Sequence, residues 1–365
     1  MNTLSTRLCT LFGVRYPIVQ TGMGWVSGAR LTAATSAAGG LGILAAATMT
    51  LPQLEKAIHE VRERTDEPFG VNLRTDQDDI DQRVALLVRE RVKVASFAQA
   101  PRKEIVQRLK DAGILTMPTI GARRHAEKMA AIGVDAVIAQ GHEGGGHTGP
   151  VPTSLLLPQV TSAVDIPVVG AGGFFDGRGL VAALAWGASG IAMGTRFLLT
   201  RESTVPDAVK KAYLETQVTG TVVTKAIDGY PQRVIRTPFI DALERSGGVL
   251  ALAHAAKHAW QFRSLTGTSL IALLREGFAM KKAGELTYGQ MAMAANAPMY
   301  TKASMVDGKP EVGILPTGQV VGVIEELPTV EELLTRIMGE AEATLARLAG
   351  NVAAAAPVHG NGVHP

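Results

Sequence analysis

The sequence predicts an α/β fold of the (β/α)8 TIM-barrel class with a mainly helical C-terminal cap region. Between Tyr16 and Leu199, short aliphatic runs alternate with longer stretches of helical periodicity. About eight such units in roughly 185 residues suit a compact closed barrel better than an open sheet. The unusual residues also follow the aliphatic runs, which is where barrels of this class assemble their sites.

Each aliphatic run ends at a glycine or a polar residue and is predicted to form one parallel strand. In chain order the strands are predicted at Pro17–Gln20, Leu41–Ala46, Phe69–Asn72, Val92–Phe97, Ile114–Ile120, Ala136–Gln140, Pro167–Ala171 and Gly190–Met193. Between them, apolar residues at helical spacings predict helices. These include Pro52–Arg64, Asp79–Glu90, Arg102–Asp111, Arg124–Ile132 and Gly179–Trp186.

The region after Glu202 differs in character from the repeating part of the chain. Residues Thr219–Pro238 are predicted to be extended with a turn at Asp228–Gly229, and Ala242–Met299 is predicted to be largely helical. Pro328-Thr329 predicts the start of a final helix within Leu327–Leu348. We therefore divide the chain into a barrel (1–203), a mainly helical cap or insertion (204–313), a segment returning to the barrel (314–350) and a disordered tail (351–365).

The composition is that of a globular protein with an aliphatic core: of 365 residues, 46% are hydrophobic and 19% are charged. A net charge of +3 is too small to imply a nucleic-acid partner. The sequence shows neither a signal peptide nor a membrane span, and its single cysteine, Cys9, suits a reducing compartment. We expect a cytoplasmic protein with a small-molecule substrate and no nucleic-acid or membrane partner, and a homo-oligomer is left open.

Two glycine-containing loops follow the seventh and eighth predicted strands, where barrels of this class often bind phosphate through backbone N–H groups. They contain Gly172, Gly173, Gly194 and Thr195. For either loop alone, the glycines could serve only to form a tight turn after the strand. The two loops together favour a phosphate site. A dinucleotide-binding fingerprint is disfavoured, because Phe175 stands where its third glycine is needed.

The loop after the sixth predicted strand contains three consecutive glycines followed by His147. Ordering three glycines costs entropy, so we expect them to make room for a flat ligand packed against the backbone. Histidine is the side chain best matched to proton transfer near neutral pH, which makes His147 our candidate acid or base. A structural histidine is the alternative. For His142 and Glu143, a functional role and a solvated position on the loop are equally compatible with the sequence. No metal site is predicted.

Asn72 and Gln140 end the third and sixth predicted strands. Each amide offers a donor and an acceptor, which suits a planar ring with carbonyl and N–H edges, such as a flavin. Capping of the strand ends is the alternative. Cys9 precedes the first strand with no evident base beside it, so a cysteine nucleophile is not expected.

The chain also contains a series of longer motifs. They are PIVQTGMG, AGGLGIL, PFGVN, AQGHEGGGHTG, GAGGFFDGRG and AMGTRFLLTRES, followed much later by ILPTGQVVGVIEELPTVEELL. In this order they resemble the nitronate monooxygenase family, formerly called 2-nitropropane dioxygenases, which also includes flavin-dependent enoyl-acyl-carrier reductases and NADH:quinone reductases. The resemblance covers Tyr16–Ser203 densely and resumes over Ile314–Leu334.

The resemblance implies an FMN-dependent (β/α)8 enzyme with the flavin ring at the carboxyl end of the barrel. It implies that His147 is the catalytic base or acid. It places beside the flavin the residues Gln20, Thr21, Gly22, Met23, Asn72, Gln140 and Gly145. It assigns the phosphate to Gly172, Gly173, Gly194 and Thr195, and Gln319 closes the site.

Three fuller strings, VQTGMGWVSGARL, ATMTLPQLEKAI and VASFAQAP, resemble one branch of the family. This branch, the IpdC-like oxidoreductases, acts on acyl-CoA intermediates of bacterial steroid-ring breakdown. Nitronate oxidisers of the family have a proline where this chain has Thr21-Gly22, which argues against nitronate activity. Basic pairs that would attract CoA phosphates, or simply be solvated, are Arg123-Arg124, Lys210-Lys211 and Lys281-Lys282.

Our main hypothesis is that His147 moves a proton at the carbon alpha to an activating group while FMN takes the electrons. A CoA thioester is the preferred substrate class. One alternative is a nitronate monooxygenase that oxidises alkyl nitronates with O2. A second is a quinone or enoyl reductase with NAD(P)H as transient co-substrate, and a third is a flavin-binding protein without catalytic activity.

Overall fold

The structure, a computed structural model, describes residues 4–245 and 288–355. Eight parallel strands close into a barrel, with the first strand paired to the last through Val19 and Ala192. The barrel strands are β1 (Ile18–Gln20), β2 (Leu41–Ala45), β3 (Phe69–Leu73), β4 (Val94–Phe97), β5 (Leu115–Ile120), β6 (Val137–Gln140), β8 (Val168–Ala171) and β9 (Gly190–Met193). The predicted barrel is confirmed.

Helices surround this barrel and continue beyond it. In chain order they are α1 (Arg7–Phe12), α2 (Ala29–Ala37), α3 (Leu51–Arg62), α4 (Ile80–Arg89), α5 (Lys103–Asp111), α6 (Arg123–Ala131), α7 (Thr153–Thr161), α8 (Gly177–Ala185), α9 (Thr195–Leu198), α10 (Asp207–Leu214), α11 (Pro238–Arg245), α12 (Tyr288–Met305) and α13 (Val330–Ala355). Sequence analysis named no helix at α2 or α7. Small residues blur the apolar periodicity of α2, and Pro158 interrupts that of α7.

The barrel strands form from continuous apolar runs because both of their faces are buried. One hydrophobic cluster takes residues from most of the barrel strands, including Ile43, Met117 and Val169, and fills the interior. The same cluster includes Leu8 and Phe12 of α1. Since Leu8 packs against the start of β9, α1 covers the amino-terminal end of the barrel. The carboxyl end is left for the functional loops.

A small second sheet lies after the barrel in sequence. Strands β10 (Thr221–Thr224) and β11 (Gln232–Ile235) form an antiparallel hairpin, as the predicted extended stretch and turn require. Strand β11 also pairs with β7 (Gly146–His147), which belongs to the loop after β6. The hairpin therefore fastens that loop in place. Residues 246–287 of the predicted cap and residues 356–365 of the tail lie outside the described residues.

The final helix begins where the sequence predicts. Thr329 and Glu332 form a reciprocal capping box, with Glu332 N donating to Thr329 Oγ1 at 3.1 Å and Thr329 N donating to Glu332 Oε2 at 2.8 Å. The helix α13 runs on to Ala355 and packs closely against Gly177 at the start of α8. Of the helices that the structure describes, none has a stretch long and apolar enough to cross a membrane.

Candidate active site

Gln20 ends β1 at the carboxyl end of the barrel and is fully buried. Its Nε2 donates to Ser27 Oγ at 2.9 Å and to the carbonyl of Ile43 at 3.1 Å. Its Oε1 is buried as well, yet it has no hydrogen-bond partner among the described residues. A buried acceptor without a donor costs about 1–3 kcal/mol. Gln20 therefore offers an acceptor that fits a ligand N–H group.

Gly22 and Asn72 touch each other across the first and third strand ends. A Cβ on Gly22 would lie 2.4 Å from Cβ of Asn72, so only glycine fits at this position. Asn72 is 8% exposed and donates from Nδ2 to Ser96 Oγ at 3.2 Å. The structure thus places two predicted ligand-facing residues together, and an Asn72 donor is used within the protein.

The loops after β1 and β9 also meet. A Cβ on Gly194 would lie 3.2 Å from Met23 Sδ and 3.2 Å from Thr21 Oγ1. Thr21 N donates to the carbonyl of Met193 at 3.1 Å. Thr21, Met23 and Gly194, which the sequence assigned to one site, are therefore neighbours at the junction where the barrel closes.

Gly172 and Gly173 follow β8 in the left-handed region, with φ of 94° and 84°. Side chains rarely tolerate these angles, which explains the paired glycines. The start of α8 beyond them already binds two carboxylates: Gly179 N donates to Asp176 Oδ1 and Gly177 N to Glu340 Oε2, both at 2.9 Å. This helix start is therefore not available to a phosphate.

Loop amides beside that helix start remain for an anion, and those of Gly173 and Gly194 are among them. The N–H groups of Gly173 and Gly194 donate to no acceptor within the part of the chain that the structure describes. They follow the adjacent strands β8 and β9. Backbone N–H groups on neighbouring glycine loops are suited to binding phosphate oxygens. The predicted phosphate loops therefore fit a phosphate at their amides rather than at the start of α8.

The returning C-terminal segment closes over α9. Gly318 N donates to Thr195 Oγ1 at 2.8 Å, and Gln319 N donates to the carbonyl of Glu143 at 2.9 Å. Tyr213 adds a hydrogen bond from its hydroxyl to the carbonyl of Pro316 at 2.8 Å. Gln319, predicted to close the site, is thus fastened between the loops after β6 and β9.

The glycine loop after β6 packs directly on this segment. A Cβ on Gly145 would lie 2.5 Å from the carbonyl carbon of Thr317 and 2.6 Å from Gly318 N. Gln140 Nε2 donates to the carbonyl of His147 at 2.8 Å, so this amide holds the loop from within. Glycine is therefore required at position 145 at least in part because the backbone of Thr317 and Gly318 lies against it.

His142 and Glu143 are partly buried residues with fixed partners. His142 Nδ1 lies 2.8 Å from the carbonyl of Gly149. The carboxylate of Glu143 accepts hydrogen bonds from Thr153 N at 2.9 Å and Thr153 Oγ1 at 2.8 Å at the start of α7. Of the two alternatives left open for these residues, the structure disfavours free solvation, because both hold the loop to its neighbours.

His147 stands at the open edge of the loop, with 63% of its side chain exposed. Its Nε2 lies 2.8 Å from Oδ2 of Asp228, and its ring meets that of Tyr230 edge-on with 6.2 Å between centroids. Sequence analysis treated Asp228 only as a turn residue. The register of β11 against β7 brings the two side chains together, and no local spacing signals that contact.

Two buried cations shape the surroundings of the site. Arg233 donates from Nη2 to the carbonyl of His142 at 3.1 Å, and burial lowers the pKa of Arg233. Lys210 was expected to attract CoA phosphates or to be solvated, and both expectations were wrong. It is 5% exposed and donates from Nζ to the carbonyls of Thr200 at 2.9 Å and Ser203 at 2.8 Å.

Of the other basic residues, the structure shows two in ion pairs on the surface. Arg123 pairs with Glu127 at 2.8 Å, and Lys211 pairs with Glu215 at 3.7 Å. Both are exposed pairs within one helix turn. Lys281 and Lys282 lie outside the described residues.

The site as a whole fits a planar ligand with a phosphate. The carboxyl ends of the barrel strands carry an amide oxygen and loop N–H groups that have no partner within residues 4–245 and 288–355, and several positions where only glycine fits. An exposed imidazole paired with a carboxylate stands on the loop after β6. Such an arrangement can hold a prosthetic group and move a proton next to it.

Comparison with known proteins agrees with this geometry. A family model described as "Nitronate monooxygenase" matches residues 5–82 and 79–340. The chain is 55% identical, over 93% of its length and 97% of the relative, to the "(3aS,4S,5R,7aS)-5-hydroxy-7a-methyl-1-oxo-octahydro-1H-indene-4-carboxyl-CoA dehydrogenase" of Rhodococcus jostii (strain RHA1). A protein of the same name from Mycobacterium tuberculosis (strain ATCC 25618 / H37Rv) is 54% identical over 93% of this chain and 96% of its own.

A solved structure supports the fold. The structure of FabK from Thermotoga maritima superimposes with a TM-score of 0.78 at 33% identity, covering 96% of this chain and 100% of that one. The similarity extends over the barrel and the segments that follow it.

Proposed function

Because the chain belongs to the nitronate monooxygenase family, whose members are flavin-dependent oxidoreductases, we propose that it is an FMN-dependent oxidoreductase that oxidises a CoA thioester. The observation that carries the substrate class is the 55% identity to a carboxyl-CoA dehydrogenase across 93% of the chain. The substrate proposed is accordingly a fused-ring carboxyl-CoA intermediate of steroid-ring degradation. A proline is absent at Thr21-Gly22, which supports this choice over an alkyl nitronate.

The residues at the carboxyl end of the barrel support FMN as the flavin. The proposed phosphate ligands are the free amides of Gly173 and Gly194 together with the Thr195 loop. The unpartnered Oε1 of Gln20 supplies an acceptor for an N–H edge of the ring. Gly22 packs against Asn72 and Gly145 packs against the backbone of Thr317 and Gly318, so these glycines fix the loops that would border the flavin. When bound, FMN supplies a two-electron acceptor.

The proposed role of His147 follows from its exposure and its partner. The thioester carbonyl acidifies the hydrogen on the carbon alpha to it, and His147 takes this hydrogen as a proton. Departure of the beta hydrogen with its electron pair completes the oxidation, and bound FMN would supply the two-electron acceptor for it. A carbon–carbon double bond forms between the alpha and beta carbons. The substrate loses one proton and one hydride, which together are two protons and two electrons.

Absorption spectroscopy of the purified protein tests this function directly. The purified protein should be yellow and should release FMN on denaturation. Under anaerobic conditions the flavin absorbance should bleach on addition of a saturated fused-ring acyl-CoA, and the product should be the α,β-unsaturated thioester. Bleaching by NAD(P)H alone would instead support a quinone or enoyl reductase, and O2 consumption with propyl-nitronate would support a nitronate monooxygenase.

The cellular location of the enzyme is a prediction. We expect a cytoplasmic location, because the chain has one cysteine and the substrate class is a CoA thioester. A flavin that no donor reduces would support a binding protein without catalytic activity.

A further inference from the structure

The hairpin β10–β11 positions a carboxylate against the imidazole of His147. In the pairing of β11 with β7, Gln232 lies opposite His147, and Asp228 lies in the turn between β10 and β11. His147 Nε2 and Asp228 Oδ2 are 2.8 Å apart, a normal length for a charge-assisted hydrogen bond. The Asp228 side chain is 17% exposed, whereas the ring that it contacts is 63% exposed.

Further donors fix the orientation of this carboxylate. Tyr230 N donates to Asp228 Oδ1 at 3.1 Å, and Gln232 Nε2 donates to the same Oδ2 that His147 contacts. With both oxygens engaged, rotation of the carboxylate would break a hydrogen bond. The group that faces His147 is therefore a fixed acceptor.

The identity of the protonated ring nitrogen follows from this geometry. An ionised carboxylate accepts hydrogen bonds and donates none, so Nε2 of His147 carries the proton at this contact. This holds for both the neutral ring and the imidazolium, because Nε2 is protonated in each. The nitrogen that gains and loses a proton is then Nδ1, for which no partner is found among the described residues.

We propose that Asp228 is a positioning residue, which holds His147 with its proton on Nε2 and leaves Nδ1 to receive the proton from the substrate. The inference rests on the proposed function for its catalytic consequence, whereas the protonation of the ring does not depend on it. Asp228 touches His147 and acts through it. Gln232 and the backbone of Tyr230 hold Asp228 in turn.

A purely structural role for Asp228 gives a different expectation. Asp228 also stabilises its own turn through Tyr230 N, and asparagine forms this kind of turn as well as aspartate does. Asp228→Asn should therefore leave the hairpin intact while removing the negative charge. A turn-forming role predicts wild-type behaviour for this variant, and a positioning role does not.

Nuclear magnetic resonance of the holoenzyme labelled with 15N-histidine tests the protonation state. The His147 signals are assigned from their loss in His147→Gln. In the wild type we expect a downfield resonance from a proton on Nε2 of His147. In Asp228→Ala we expect this resonance to disappear, because the Nε2 proton is then free to exchange with water. Asp241→Ala is the matched control, because Asp241 pairs with Arg236 and not with His147.

Steady-state kinetics with the acyl-CoA substrate tests the catalytic consequence. We expect Asp228→Asn to lower kcat by about 10²-fold, with KM changed by less than about threefold and with FMN retained. A His147 ring protonated at Nδ1 instead of Nε2 in the wild type, or an Asp228→Asn variant with wild-type kcat, would overturn the proposal. If His147→Ala kept full activity while Nε2 was protonated as expected, the catalytic role of His147 and Asp228 would be overturned and only the protonation of the ring at Nε2 would stand.

Discussion

Gly318 N donates a 2.8 Å hydrogen bond to Oγ1 of Thr195, and this bond ties the returning C-terminal segment to the helix that follows β9. Thr195 is 8% exposed and also contacts the Thr317 hydroxyl at 3.3 Å. The segment after the barrel and the proposed phosphate loop therefore share one buried hydroxyl.

Thr195→Val removes that hydroxyl with little change in shape. It leaves the Gly318 N–H without an acceptor, so we expect a loss of about 1–3 kcal/mol in the free energy of unfolding and weaker retention of FMN. Denaturant titration and FMN fluorescence after dialysis measure the two effects. Thr200→Val removes a buried hydroxyl that donates to the carbonyl of Phe197 at 2.8 Å and to no other group in the described part of the chain, so this variant should keep the flavin. Equal flavin loss in both variants would contradict the assignment.

Gly145→Ala tests the packing of the glycine loop on the C-terminal segment. The added methyl would meet backbone atoms of Thr317 and Gly318 at 2.5 and 2.6 Å, so one of the two segments must move. We expect a lower melting temperature and a reduced affinity for FMN, measured by thermal denaturation and by titration of the apoprotein.

Gly339→Ala is the matched control for that substitution. Gly339 lies within α13, and a Cβ there would meet nothing within 4 Å. Alanine in a helix is more favourable than glycine by about 0.5–1 kcal/mol, so this variant should be slightly stabilised and should bind FMN normally. The packing account would be wrong if the two variants changed stability in the same direction.

The pair of Asp79 and Arg83 predicts a loss of stability in acid. Arg83 is 3% exposed and donates from Nε to Asp79 Oδ1 at 2.7 Å, and this hydrogen bond holds the pKa of Asp79 below its usual 3.8. A carboxyl whose pKa is lowered on folding stabilises the protein above its usual pKa. That contribution disappears as the pH falls through the lowered value.

Asp79→Asn should therefore destabilise the protein by about 0.5 kcal/mol near neutral pH, since the pair is partly exposed. The difference from the wild type should shrink as the pH falls below about 3.8, where the wild-type carboxyl also becomes protonated. Denaturant titrations at a series of pH values measure this difference. A gap that stayed constant down to the acid-unfolding range would show that the charge of Asp79 does not contribute.

The barrel could be predicted from the sequence because its strands are buried on both faces. Runs such as Leu41–Ala45 are apolar throughout, and each ends where a functional loop begins. Local chemistry also predicted that the last helix starts at Thr329. These features depend on neighbouring residues alone, which a sequence shows directly.

The partners within the site could not be predicted in the same way. Asp228 is 81 residues from His147, and their contact depends on the register of two strands in a small separate sheet. Lys210 seemed to belong to a surface basic pair, but the carbonyls of Thr200 and Ser203 draw it inside. Contacts of this kind depend on tertiary packing, because neither partner's local sequence specifies the other.

His147 is the residue on which the proposed reaction depends most, and a second exposed histidine provides its control. His59 lies on α3 with Nε2 3.2 Å from Oε2 of Glu90 at the end of α4, so it also pairs with a carboxylate. His147→Ala should lower turnover by about 10²–10⁴-fold with FMN retained, whereas His59→Gln should keep wild-type turnover. Comparable losses in both variants would point to a general effect of removing an imidazole.

The most direct measurement of the central claim is the anaerobic rate of flavin bleaching in a rapid-mixing experiment, with a fused-ring acyl-CoA carrying hydrogen or deuterium at the alpha carbon. We expect slower bleaching with deuterium in the wild-type enzyme, and bleaching slowed by about 10²–10⁴-fold in His147→Ala. Bleaching at the wild-type rate in His147→Ala, or no bleaching of the wild type by any CoA thioester, would contradict the account.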